Sequence, residues 1–211
     1  SVLVDVYKSQ RQLVSQGYME LLGLIEQIET DDLTSSVVIR MAQLQGDILA
    51  LLGRLIEAET VLNDTLERAQ STAGELVQAE ILSSLADVSR KQGNSELSLN
   101  RHKAALKHYI SLGNARWAAR TYNNIGYLLR RKNERNKALE AYGEVEAILE
   151  SSDDDELIYS QITLARSLIE LGEVDRAREH AMASHERTSA LGDGVLHARA
   201  QAVLGRYYSK V

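Results

Sequence analysis

Apolar residues recur along this chain every three or four positions, in blocks separated by short polar turns. The block beginning at Arg116 is the clearest. Ala118, Ala119, Tyr122, Ile125, Gly126 and Leu129 share one helical face. Lys132-Asn133-Glu134 reads as a turn, because Asn tolerates the left-handed backbone that ends helices. Ala138, Ala141, Tyr142, Val145 and Ile148 then form a second helical face. Residues 151–155 make the connection, where Ser and Asp suit the positive N-terminal end of the next helix. The same plan predicts helix pairs over about 35–52 with 56–70, 75–91 with 95–112, and 156–171 with 174–191, then a lone helix from about Val195. Connections this short make consecutive helices antiparallel neighbours.

Three ladders of small or turn-forming residues run through these blocks in register. Gly46, Ala86, Gly126, Ala165 and Gly205 are separated by steps of 40, 40, 39 and 40. Gly53, Gly93, Asn133 and Gly172 follow them, and then Ala58, Ser98, Ala138 and Ala177. One structural unit is therefore copied four times, with a fifth begun, and a period near 40 predicts a helical solenoid. The first ladder marks where paired helices cross too closely for a larger side chain, with the third ladder expected to face it. The expected fold is all-α, a right-handed superhelix of antiparallel helix pairs. Its units would span 35–74, 75–114, 115–153 and 154–194 of one continuous domain. Residues 1–34 form a divergent helix or helix pair as an N-terminal cap, and 195–211 the first helix of an uncompleted unit.

Composition supports the helical reading. Pro is absent from all 211 residues, which removes the strongest helix breaker. Cys is absent too, so disulfides and thiolate metal sites are excluded, in keeping with a reducing, cytoplasmic setting. No apolar run is long enough to span a membrane, and no secretory signal is visible. The sequence starts Ser1-Val2-Leu3 and stops inside a helical pattern, so a fragment of a longer protein is expected, with self-association through the open C-terminal end as one option.

Charge is distributed unevenly. The net charge is −6, which argues against nucleic acid as the main partner. Yet residues 101–145 hold ten Lys/Arg against three Asp/Glu, and residues 146–156 hold six acids and no base. The basic stretch is the opening for a nucleic-acid-binding alternative. Catalytic and metal motifs are missing. His180 and His185 are five apart, and His102 and His108 six apart, so neither pair stacks as metal ligands one turn apart would. There is no His-Glu-x-x-His and no Gly-rich phosphate loop. The expectation is a protein without enzymatic activity or cofactor.

The run Tyr122-Asn123-Asn124-Ile125-Gly126-Tyr127-Leu128-Leu129, followed by Asn133, Ala138 and Tyr142, resembles a tetratricopeptide repeat. The resemblance covers about residues 35–211. It departs from the usual pattern in a period near 40 rather than 34 and in the missing closing Pro. The Leu-Gly-Asn and Leu-Gly-Asp junctions at 112–114 and 191–193 are similar to those of arrays in STAND-type signalling ATPases, kinesin light chains and LGN-type adaptors. The resemblance implies a module that binds a peptide or protein segment in a groove lined by the first helix of each unit, as the regulatory part of a signalling or transcription-regulating protein. An inducer-sensing domain of a STAND-type ATPase is the alternative.

The groove slots implied by the resemblance are Arg120, Asn123, Asn124, Tyr127 and Arg130 in the third unit. Tyr159, Ile162, Thr163, Arg166 and Ile169 fill them in the fourth, Arg199 and Arg206 two of them in the fifth, and Arg90 one in the second. Asn124 leads, because an amide offers both an acceptor and donors to a peptide backbone. Arg120, Arg166 and Arg90 would fork onto carboxylates, and Tyr127 offers flat apolar area with a polar tip. An acidic or C-terminal-carboxylate-bearing peptide is the expected ligand.

Overall fold

The computed structural model describes residues 2–28, 34–152 and 154–210, with side chains from residue 13 onward. Among these residues every element is helical. The helices are α1 (Val2–Gln27), α2 (Ser35–Leu51), α3 (Leu55–Thr72), α4 (Glu75–Lys91), α5 (Ser95–Ser111) and α6 (Ala115–Arg131). After them come α7 (Arg135–Glu150), a short 3-10 helix (Asp155–Leu157), α8 (Ile158–Leu171), α9 (Val174–Leu191) and α10 (Gly194–Tyr208). The N-terminal segment is a single helix of 26 residues. The chain divides into two compact units, residues 1–105 and 106–211. In the first, α2 pairs with α3, and α3 also packs on α4; in the second, α6 pairs with α7 and α8 with α9.

Helix ends follow local chemistry. Gly53, Gly93, Asn133 and Gly172 all have φ between 61° and 86°, the left-handed geometry read from their ladder. The residue after each closes the turn with a backbone bond five residues back, as from Glu134 N–H to the Leu129 carbonyl at 3.0 Å. Asn114 caps α6 by accepting from the Trp117 N–H, and Asp193 caps α10 by accepting from Val195 and Leu196. Asp154 caps the 3-10 helix through the Glu156 N–H, while Asp153 in that connection lies outside the described residues.

The core is a row of thin contacts between paired helices. A methyl group at Gly46 would fall on the Leu62 side chain, and one at Gly126 inside the ring of Tyr142. The residues that meet these glycines therefore sit one turn beyond Ala58 and Ala138, which are themselves fully buried. The long side chains of Leu62 and Tyr142 lie across the crossing, so they fill the space the glycines leave. Gly205 meets nothing within 4 Å.

One member of this packing row is chemically odd. Sixteen residues after each small residue come Leu62, His102, Tyr142 and Ala181, all buried. Neither ring nitrogen of His102 has a hydrogen-bond partner among the described residues. Burial holds its pKa down to about 4, with Asp87 pulling it up and Arg90 pushing it down.

Two outcomes follow from this packing. Gly126→Ala will lower stability by about 1–3 kcal/mol, because a buried ring has no room to retreat. Gly205→Ala will leave stability unchanged or raise it by up to about 1 kcal/mol through helix propensity. Thermal unfolding of the two variants separates these cases. His102 binds its proton near 6.5 when unfolded but near 4 when folded, so stability falls as pH drops through that window. The total loss is on the order of 3 kcal/mol. Urea unfolding between pH 7 and pH 4 will show this slope in the wild type and a flatter one in His102→Leu.

Candidate partner-binding face

Helix α6 forms because its apolar residues fall on one side and Asn114 caps its start. Ala118, Ala119, Ile125, Gly126, Leu128 and Leu129 are buried. The opposite side carries Arg120, Asn124, Tyr127 and Arg130. Within residues 106–211, α6 packs beside α8 and α8 beside α10, so the first helices of three successive repeats form one layer.

Cation–aromatic contacts link this layer. The Arg120 guanidinium lies 5.0 Å from the Trp117 ring centre and 5.1 Å from that of Tyr159. Arg199 on α10 lies 5.4 Å from the same Tyr159 ring. Held close to two aromatic rings, the Arg120 guanidinium has its charge stabilised and its freedom reduced. Trp117 in turn stacks on Tyr109 at 5.9 Å, which anchors the start of the ladder.

The seven residues singled out from the sequence are not equivalent. Asn124 is half-buried and its side chain makes no hydrogen bond to any described residue. Tyr127 is half-buried with Arg130 5.5 Å from its ring centre. Arg130 is already committed, bonding Glu170 at 2.6 Å. Arg120 and Arg166 are exposed. Arg90 belongs to the other compact unit, where it pairs with Asp87 at 3.2 Å. Asn123 departs from the expectation of a groove contact. It is only 2% exposed, and its Nδ2 donates to the Ser160 carbonyl at 3.0 Å, which ties α6 to α8. One position of rotation on α6 puts it between the helices rather than on the open side.

Six of the ten basic residues at 101–145 pair with acids before or after them in the chain. Arg116 pairs with Glu156 at 3.1 Å, Arg135 with Glu173 at 2.5 Å, and Lys137 with Glu134 at 2.7 Å. In the first unit Arg101 pairs with Glu59 at 2.8 Å. Among the described residues no carboxylate pairs with Arg120, Arg166, Arg199 or Arg206. Arg166, Arg199 and Arg206 line one cavity of about 340 Å³ between α8 and α10, with Tyr159, Ile162, Thr163, Ala202 and Val203. Slot reading on the sequence had reached Arg199 and Arg206, but not that they converge with Arg166. The partners of Arg116 and Arg130 were also readable in principle, since each acid stands 40 positions after its arginine.

Among the described residues no three His, Asp or Glu side chains gather as a metal site, and no helix is long and apolar enough to cross a membrane.

This is the architecture of helical-repeat proteins. Residues 77–151 match the tetratricopeptide repeat. No curated protein matches the sequence. Among solved structures, BtubC from P. vanneervenii superposes with a TM-score of 0.65 at 15% identity, covering 96% of this chain and 84% of that one. A putative kinesin light chain of P. anserina with nearly identical TPR-like repeats gives 0.63 at 15% identity, covering 82% and 86%. The Rap conjugation gene regulator of plasmid pLS20, in complex with the Phr* peptide, gives 0.59 at 17% identity; 95% of this chain covers 57% of that regulator. The fold of the chain is thus that of TPR-like repeat proteins.

Asn123→Ala will cost about 1–2 kcal/mol of stability, measured by thermal unfolding, because the bridge from α6 to α8 is lost from a buried site.

Proposed function

We propose that this protein is a non-catalytic interaction module and that the α6–α8–α10 layer binds an acidic peptide segment of a protein partner. The observation that carries this reading is the set of four arginines, Arg120, Arg166, Arg199 and Arg206, on one layer without carboxylate partners among the described residues. Guanidinium groups left unpaired beside apolar surface favour a ligand that brings carboxylates. Asn124 adds an amide able to hold peptide backbone, and the stacked Arg120 and Arg199 are preorganised, which lowers the entropic cost of binding.

The pLS20 regulator supports the reading at the level of fold, since it holds a peptide. A role as the regulatory part of a larger signalling or transcription-regulating protein is consistent with such folds. Tyr127 would pack against the peptide, and Arg130 would contribute only by exchanging Glu170 for a ligand carboxylate. Arg90, paired with Asp87 in the first compact unit, has no part in this layer's proposal.

The test is the double variant Asn124→Ala/Arg120→Ala. Its affinity for an Asp/Glu-rich peptide selected from a random library will fall at least tenfold, about 1.4 kcal/mol, by fluorescence anisotropy. Arg178→Ala on α9 will bind as the wild type does. A double variant that melts like the wild type and binds unchanged would sink the proposal.

A further inference from the structure

Two cavities adjoin Tyr159, and their charges differ. One is lined by Arg116, Arg120 and Arg199 together with Asp155, Glu156 and Asp193. Its acids are already engaged: Glu156 with Arg116, Asp155 with Arg187, and Asp193 with the start of α10. The other, between α8 and α10, has Arg166, Arg199 and Arg206 on its walls and no acid among its lining residues. Glu170, one turn after Arg166, is tied to Arg130 at 2.6 Å.

We propose that this second cavity takes a phosphate monoester on a side chain of the peptide partner; this rests on the reading of the layer as peptide-binding. The charge balance carries the inference. A carboxylate brings one negative charge, whereas a phosphomonoester brings about 1.5 to 2 near pH 7 and three acceptor oxygens. Three forked guanidiniums around one space match the phosphate better in both charge and donor geometry. All three cationic walls are Arg, with no Lys. Arg199 is oriented by the Tyr159 ring at 5.4 Å. Thr163 donates its hydroxyl to the Tyr159 carbonyl at 2.9 Å, so the arginines supply the donors. Ile162, Ala202 and Val203 form an apolar floor, and a volume of about 340 Å³ leaves room for the carbon chain that carries the phosphate.

Three pools of labelled nonamer peptides test this, alike except for a central phosphoserine, glutamate or serine, titrated by fluorescence polarisation. The phosphoserine pool will bind at least tenfold tighter than the serine pool and severalfold tighter than the glutamate pool. In Arg166→Ala/Arg206→Ala, checked for an unchanged melting curve, the phosphoserine pool will bind no tighter than the glutamate pool measured on the same variant. Equal binding of the phosphoserine and glutamate pools, or a preference kept by the variant, overturns the proposal alone. Binding of no pool overturns the peptide reading with it. Free O-phospho-L-serine competing as strongly as the phosphopeptides would reassign the cavity to a small phosphorylated molecule and overturn the peptide source.

Discussion

The close crossing of paired helices at Gly126 decides where every other residue of α6 points. With no side chain at that position, the Tyr142 ring lies against the helix backbone, in space that even a methyl group would occupy. The contact sets the rotation of α6 about its own axis. Ile125, Leu128 and Leu129 turn inward, Arg120, Asn124 and Tyr127 stay at least partly exposed, and Arg130 lies beside the Tyr142 side chain. Gly46 and Leu62 do the same for α2 and α3 in the other compact unit. A binding face made of side chains on several helices needs such a stop, because a rotation of one residue carries an outward group inside. Asn123 shows how sharp the division is: it neighbours Asn124 in sequence and is buried against α8.

Once rotation is set, the repeat period aligns like slots of successive first helices. Arg40 reaches Glu80, Arg116 reaches Glu156 and Arg130 reaches Glu170, each 40 positions away. Tyr159 stands 39 positions after Arg120 and 40 before Arg199, and it contacts both. Ion pairs this exposed contribute at most about 1 kcal/mol each. Their larger effect is on orientation, since a paired arginine is not available to a ligand. The layer's chemistry is therefore set by subtraction. Of the arginines on α6, α8 and α10, Arg116 and Arg130 have a carboxylate 40 positions on, and among the described residues Arg120, Arg131, Arg166, Arg199 and Arg206 pair with none.

Much of the helical framework was legible in the chain. The turn ladder at Gly53, Gly93, Asn133 and Gly172 corresponded to left-handed backbone at all four positions, because that geometry depends on the residue's own steric freedom. Capping by Asn114 and Asp193 is equally local. The partner of the small-residue ladder was misplaced by one turn, since Ala58 and Ala138 looked complementary in size while the longer Leu62 and Tyr142 reach the crossing. His102 was weighed as a metal ligand, yet it fills the same packing slot as Leu62 and Tyr142. Its chemistry is that of a buried base with no hydrogen-bond partner among the described residues.

The sequence by itself determined the period, the helices and their ends. These follow from backbone sterics, capping and apolar spacing within a few residues of each site. Only the tertiary structure decided which charges survive. The basic run at 101–145 looked like the dominant electrostatic feature, and more than half of it is paired with acids as far as 42 residues away. Coulombic pairing depends on distances of a few ångströms between side chains remote in sequence, and no local pattern encodes them. The same reason hid the cavity between α8 and α10, where Arg166, Arg199 and Arg206 meet only because two first helices pack side by side.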